Sequence, residues 1–153
     1  MRLTCISDDR KSLTPQADIQ DKAERATPRP GEEPARRTVL IYSPDLNFSF
    51  SLSLALQDRY RVVTSSNTAM LESLVCTSSA DIVIVDAFPS SEVAHLIDAL
   101  KGLRAGVPVI LTYVYDARNV ALDRSIREHV EAVLYKPFEV DSMLSEVKQL
   151  LSS

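Results

Sequence analysis

Five short apolar runs alternate with helix-like segments from residue 38 onward, and this alternation limits the fold more than any other feature of the sequence. The third run is continuously apolar, as in a central strand covered on both faces, whereas the second alternates as an edge strand does. Short strands separated by helices predict a parallel sheet with helices on both faces. The runs cover residues 39–42, 60–64, 82–85, 107–114 and 132–135.

Apolar residues at helical spacing predict the helices between and after these runs. In the first helix, Ser49, Ser51 and Ser53 are expected on the outer surface. The last helix has a clear apolar stripe with charged residues elsewhere, which is typical of an amphipathic helix. The apolar sets are Phe48, Leu52 and Leu56; Val93, Ile97, Leu100 and Leu103; Val120, Ile126 and Val130; and Val140, Met143, Leu144, Val147, Leu150 and Leu151.

Residues 1–37 differ from the rest of the chain. Their only large aliphatic residues are Leu3, Ile6, Leu13 and Ile19, and charges of both signs are mixed with prolines. Such a segment buries too little apolar surface to offset the entropy lost on ordering. The sequence therefore predicts a disordered tail over residues 1–37 and one domain over residues 38–153.

Charge and hydropathy exclude several classes of protein. The formal net charge of −4 gives no basic footprint for nucleic acid, so no nucleic-acid partner is expected. No apolar run is long enough to span a membrane. Charged residues occupy positions 8–11, where a signal peptide would have an apolar core. A cytoplasmic location is therefore expected.

Polar residues lie at the carboxyl ends of the predicted strands, which is where ligands bind on an open parallel sheet. Asp45 closely follows the first run, Asp86 ends the third, Thr112 lies near the end of the fourth, and Lys136 follows the fifth. In a flavodoxin-like (βα)5 sandwich with strand order 2-1-3-4-5, three of these ends are neighbours. Carboxylates, a hydroxyl and a lysine would then converge on one shallow site.

This set of groups suits reversible phosphoryl transfer to a carboxylate. An aspartate can act as a covalent nucleophile toward phosphorus. The transition state needs cations in contact with the phosphoryl oxygens, which Lys136 and a divalent metal ion can supply. A cation held by carboxylates would also lessen the repulsion between Asp86 and an incoming phosphate.

Three motifs are similar to landmarks of the receiver domains of bacterial two-component response regulators. Residues 81–86 with Pro89 resemble the phosphoacceptor strand and loop, and residues 106–110 resemble the entry to the fourth strand. Residues 134–138 resemble the Lys-Pro-Phe turn, in which the bond before the proline is usually cis. The resemblance covers residues 38–153 and implies Asp86 as the phosphoacceptor and Lys136 as the phosphate contact. It also implies Mg2+ as cofactor, and a histidine kinase or phosphotransfer protein and a downstream protein target as partners.

Several positions depart from the family pattern. Ser43 and Pro44 stand where the family has two adjacent acids that organise magnesium, and Asp45 comes one residue late. Asp45 and Asp86 remain the candidate metal ligands, and weak Mg2+ binding is the expectation. Thr112 is the candidate switch hydroxyl, although the family's position falls on Tyr113 and strand alternation would turn Thr112 to the other face.

A further departure is Val133, which stands where the family has an aromatic residue in the fifth strand. Tyr135 shares its face by alternation, and it is the residue that could substitute there.

Three functions follow from these observations. The first is a stand-alone receiver that is not an enzyme, accepts a phosphoryl group on Asp86 and signals by protein contact. The second is a degenerate pseudo-receiver that binds its partner without phosphorylation. The third, a flavin or nucleotide binder on the same sheet, is disfavoured because none of Gly31, Gly102 and Gly106 opens a phosphate-binding loop after a strand.

Overall fold

A computed structural model describes residues 35–152 of the protein. The predicted tail lies outside the described residues except for residues 35–37, which precede the first strand without regular structure. The strands are β1 (Thr38–Tyr42), β2 (Arg61–Ser65), β3 (Ile82–Asp86), β4 (Val109–Tyr113) and β5 (Ala132–Tyr135). The α-helices are α1 (Leu46–Leu56), α2 (Leu71–Thr77), α3 (Ser91–Leu103), α4 (Val120–Ile126) and α5 (Val140–Ser152). Short 3-10 turns, Thr68–Met70 and Ala117–Asn119, lead into α2 and α4.

The five strands form one parallel sheet in the order β2-β1-β3-β4-β5, and the predicted topology is confirmed. β1 and β4 flank β3, and β5 pairs with β4. Asp86, at the end of β3, is aligned with Thr112 of β4. All strands run in one direction, so the polar residues at their carboxyl ends meet at one edge of the sheet.

Each face of the sheet is covered by its own apolar cluster. One cluster packs α2, α3 and α4 against one face, with Leu71, Ile97 and Ile126 among its buried residues. The other packs α1 and α5 against the opposite face, with Leu56 and Met143 buried. Successive residues of β3 alternate between the two clusters, which explains why that strand is apolar throughout.

Two predicted elements are shorter in the structure. β4 begins at Val109 rather than residue 107, because Pro108 has no N–H group to donate to a ladder, and Val114 lies beyond its end with 62% exposure. α4 ends at Ile126, whereas the apolar pattern extended to Val130. Val130 packs instead against the core as the chain turns toward β5.

The outer face of α1 differs from the expectation. Ser49 is buried at 5% exposure, Ser53 is half-buried, and Ser51 alone of the three serines is exposed, because alternate residues do not share a helix face. The exposed positions of α1 also include three large apolar residues, Leu46, Phe50 and Leu54.

Over residues 35–152, no helix combines the length and the apolar character that crossing a membrane requires.

Candidate functional site

Asp86 is the centre of a polar cluster at the carboxyl edge of the sheet. It ends β3 and is 7% exposed. One carboxylate oxygen, Oδ1, lies 2.8 Å from Nζ of Lys136, and the other, Oδ2, accepts a hydrogen bond of 2.6 Å from Oγ of Ser43. Both oxygens of Asp86 are therefore engaged by neighbouring side chains, and we refer to Ser43, Asp86 and Lys136 as the triad.

Lys136 reaches Asp86 from the turn after β5. Its backbone N–H donates to the carbonyl of Tyr113 at 2.9 Å, and the bond between Lys136 and Pro137 is cis, as the resemblance implied. Its ammonium nitrogen also lies 4.2 Å from the centre of the Phe48 ring. An ammonium over an aromatic face is attracted by the ring quadrupole, so Phe48 helps to hold the lysine beside Asp86.

Ser43 links Asp86 to the start of α1. It is fully buried, and its oxygen accepts a hydrogen bond of 2.9 Å from the backbone N–H of Asp45 while its proton is donated to Asp86. Sequence reasoning treated Ser43 only as a missing acid. The signal for its role was its place at the end of a strand next to β3.

Asp45 lies outside the triad. Its carboxylate is the N-cap of α1 and accepts hydrogen bonds from the backbone N–H groups of Asn47 at 3.0 Å and Phe48 at 3.3 Å. A capping carboxylate satisfies helix N–H groups that have no partner within the helix. The structure thus brings Asp86 and Lys136 together, and it engages one carboxylate oxygen of Asp45, Oδ1, at the helix end.

Thr112 is buried beside Asp86 in the sheet but is not bonded to it. The two residues are partners in the parallel register, and Ala87 N–H donates to the Thr112 carbonyl at 3.2 Å. Within the described part of the chain, its Oγ1 has no hydrogen-bond partner. By alternation Thr112 lies on the face of Ile110, and Tyr113 joins the opposite cluster.

Tyr113 belongs to a second polar network that sequence reasoning missed. Its hydroxyl donates to Oδ1 of Asp123 on α4, and Tyr135 donates to the same oxygen at 2.6 Å. Arg127 bonds to the Tyr135 hydroxyl and lies 3.3 Å from Oδ2 of Asp123. The four residues tie α4 to β4 and β5. The i, i+4 spacing of Asp123 and Arg127 was the available sequence signal.

Burial and hydrogen bonding shift the ionisation of this network. Desolvation, followed by the hydrogen bond to Asp123, raises the pKa of Tyr113 well above its usual value. Desolvation acts to raise the pKa of Asp123, but the hydrogen bonds from Tyr113, Tyr135 and Arg127 outweigh it and leave the pKa below the usual value. The network therefore favours a neutral Tyr113 and an ionised Asp123.

We expect Tyr113→Phe to change the pH dependence of stability at both extremes. The stability that ionised Asp123 contributes is present above its unfolded pKa, 3.8, and is lost as the pH falls through the lower folded value. The contribution of neutral Tyr113 is present below about pH 10 and is lost as the pH rises further. Urea unfolding of Tyr113→Phe at acid, neutral and alkaline pH should show a flatter profile than the wild type.

Tyr115→Phe is the matched control, because Tyr115 meets Tyr135 edge to face with ring centres 5.1 Å apart but is 43% exposed. An unchanged profile in Tyr113→Phe, or an equal change in the control, would contradict the assignment.

The donors around Asp86 do not fit Mg2+, the cofactor that the resemblance implied. Magnesium prefers carboxylate oxygens and water in a near-ideal octahedron. Here the adjacent side chain is a neutral hydroxyl, Asp45 is turned to the helix, and an ammonium lies against Asp86. Over residues 35–152, no three His, Cys, Asp or Glu side chains are placed to share a metal ion.

Solved structures share this architecture. A response regulator from Thermotoga maritima matches with a TM-score of 0.67 and 23% identity, covering 77% of this chain and 99% of its own. The chemotaxis protein CheY4 of Vibrio cholerae matches with a TM-score of 0.63 and 17% identity, covering 76% and 99%. This is a receiver fold.

A putative pilus assembly protein, cpaE, from Burkholderia thailandensis also has this receiver fold, with a TM-score of 0.62, 25% identity and coverage of 76% and 99%. No protein-family model and no curated protein sequence matches the chain.

Proposed function

We propose that the chain is a receiver-type interaction domain that acts in the cytoplasm and binds its protein partner without phosphorylation of Asp86. The observation that carries this proposal is the closed triad. Both oxygens of Asp86 are engaged, one by the hydroxyl that stands in place of the family's acid and one by the lysine. The partners are those expected for two-component signalling, namely a histidine kinase or phosphotransfer protein and a downstream protein target.

The triad disfavours nucleophilic attack for a physical reason. A carboxylate that attacks phosphorus needs a lone pair directed at the phosphoryl group and a cation that offsets charge repulsion. Ser43 and Lys136 each bind one oxygen of Asp86 and draw electron density from the carboxylate, and replacing an acid by a hydroxyl removes one negative charge from the cation's surroundings. Lys136 remains as a positive charge, but in this arrangement it neutralises Asp86 itself.

Phosphoryl acceptance on Asp86, with Lys136 contacting the phosphate and Thr112 as the switch hydroxyl, is the competing function. Two observations favour it: the contact of 2.8 Å between Asp86 and Lys136, and the unpaired hydroxyl of Thr112 on the neighbouring strand. In that case Ser43 would release Asp86 when the phosphoryl donor binds, and weak Mg2+ binding by Asp45 and Asp86 would be required.

Incubation with acetyl phosphate and Mg2+, followed by intact mass measurement, separates the two functions. We expect the wild type to gain no more phosphoryl label than Asp86→Asn, because the triad keeps the carboxylate occupied. The double variant Ser43→Asp, Pro44→Asp restores two acids next to Asp86 and should gain Mg2+-dependent label that is lost when Asp86→Asn is added.

Partner binding is the second arm of this experiment. A partner captured by the wild type should bind Asp86→Asn with the same affinity. Magnesium-dependent labelling of the wild type that disappears in Asp86→Asn would refute the proposal and support phosphoryl acceptance.

A further inference from the structure

Cys76, in the last turn of α2, carries a covalent bond that is separate from the triad. Its sulfur is disulfide-bonded, and no cysteine in the described part of the chain is free. The sequence contains two cysteines, Cys5 and Cys76. Within one chain, Cys5 is therefore the residue that can supply the second sulfur, and it lies outside the described residues.

The surroundings of Cys76 suit a bond to a segment that reaches the domain from outside. Cys76 is half-buried, and it packs against the apolar cluster of α2, α3 and α4. The next residue, Thr77, is exposed. Partial exposure is what a cysteine needs in order to react, because a sulfur enclosed by apolar side chains is inert. Packing thus holds Cys76 in place while its sulfur stays within reach of a second thiol.

The N-terminal segment enters the fold beside the end of α2. The backbone N–H of Thr38 donates to Oδ2 of Asp81 at 2.7 Å, and the N–H of Asp81 donates to the carbonyl of Thr38 at 2.9 Å. Asp81 follows the turn that closes α2, in which the Ser79 N–H donates to the Cys76 carbonyl at 3.2 Å. Cys5 is 33 positions before Thr38, and a chain of that length can span up to about 110 Å. The segment therefore begins next to α2 and is long enough to return to it.

We propose that a reversible disulfide between Cys5 and Cys76, which we call the latch, holds the N-terminal segment against the end of α2. To form it, each cysteine loses one hydrogen atom, and a low-molecular-weight disulfide takes up both and leaves as two thiols. The exchange passes through a mixed disulfide, which the second protein thiolate attacks. In the cytoplasm, where the proposed function places the chain, protein disulfides are mostly transient or redox-sensing. The latch therefore responds to the balance of thiols and disulfides around the protein.

The latch encloses a large part of the fold. The loop from Cys5 to Cys76 includes β1, α1 and β2. A cross-link between residues so far apart restricts the unfolded chain, so oxidation should favour the folded state. The end of α2 leads into the start of β3, whereas the triad lies at the carboxyl ends of the strands. The latch thus lies at the other edge of the sheet, and the inference goes beyond the proposed function without depending on the state of Asp86.

Thiol labelling of the full chain tests whether the latch forms. After equilibration with oxidised glutathione and unfolding in denaturant, the wild type should take up no iodoacetamide. After reduction it should take up one group on each of its two cysteines. Intact mass should show a monomer without bound glutathione, and peptide mapping should give one linked pair that contains Cys5 and Cys76.

Urea unfolding tests the effect of the latch on the fold. The oxidised wild type should unfold at a higher urea midpoint than the reduced protein, because the closed loop limits the unfolded chain. Cys5→Ser removes one end of the latch and leaves the described domain unchanged. Its midpoint should therefore be the same under oxidising and reducing conditions, and Asp86→Asn should keep the difference that the wild type shows.

A displaced cysteine is the matched control. Cys76→Ser combined with Glu72→Cys moves the thiol one turn along α2, to an exposed position farther from the entry of the segment. The loop length hardly changes, so a random tether would close equally well at both positions. In a glutathione buffer, the effective concentration of the two thiols should be at least about tenfold higher in the wild type.

Circular dichroism should show that all variants are folded. Equal bond formation in the displaced variant, glutathione adducts without a linked pair, or a disulfide between two chains would overturn the proposal.

Discussion

Ile84→Ala is expected to lower the free energy of unfolding by about 2–5 kcal/mol, the range for removing a large aliphatic side chain from a core. Ile84 is fully buried in β3 and is aligned with Ile41 of β1 and Ile110 of β4. Truncation leaves a cavity in the middle of this row, and the rigid sheet limits how far the neighbours can move to fill it. Small domains have only about 5–15 kcal/mol of stability in total, so the effect is a large part of it.

A graded series makes this prediction specific. Ile84→Val removes one methyl group and should cost about 0.5–1.5 kcal/mol. Val114→Ala, at a side chain that is 62% exposed, should change the stability by less than about 0.5 kcal/mol. The measurement is the urea midpoint and slope for each variant. If Ile84→Ala cost no more than Val114→Ala, β3 would not be the central strand of the sheet.

The architecture could be predicted because its determinants are local in the sequence. The apolar run that ends at Asp86 is continuous, the run of β2 alternates, and the two patterns distinguish a central from an edge strand. The chain's regular alternation and the handedness of crossover connections left few topologies, and the order 2-1-3-4-5 is the one that the flavodoxin-like class implies. The ends of β4 and α4 were overextended because apolar residues that pack in a loop, such as Val130, look the same in sequence as those in a helix.

The site was less predictable because its contacts join residues that are far apart in the sequence. The pairing of Asp86 with Lys136 could be anticipated, since both follow strands that end at one edge. The hydrogen bond from Ser43 was not anticipated, because its place at the end of the strand next to β3 brings it near Asp86 but does not fix the acceptor of its hydroxyl. Asp45 was ambiguous for the same reason: a carboxylate after a strand suits a metal or a helix cap equally well, and here it caps α1.

The surface of α1 shows a different limit of prediction from the sequence. A set of apolar residues at helical spacing identifies the buried face, as Leu52 and Leu56 did. Such a set does not predict whether further apolar residues lie on the opposite, exposed side of the helix. Leu46, Phe50 and Leu54 form a second stripe that the sequence contains equally clearly. Only the packing against α5 and the sheet decides which stripe lies inside.

Lys136→Met is expected to lower the free energy of unfolding by about 2–4 kcal/mol, because it leaves the carboxylate of Asp86 buried without its cation. Asp86 is 7% exposed, and the hydroxyl of Ser43 would be its remaining side-chain partner among the contacts of the triad. The value lies below that of a fully buried pair because the side chain of Lys136 is 25% exposed and solvent screens part of the interaction.

A double-mutant cycle isolates the pair from the other contacts of Lys136. Asp86→Asn keeps the volume and removes the charge, so adding Lys136→Met in that background should cost much less, mainly the contact of the ammonium with the Phe48 ring. The coupling energy from urea unfolding of the four proteins should be about 1–3 kcal/mol. A coupling near zero would mean that solvent separates Asp86 from Lys136, and an Asp86 so freed would be available to a phosphoryl donor. A strong coupling supports the closed triad, in which Lys136 neutralises the carboxylate of Asp86.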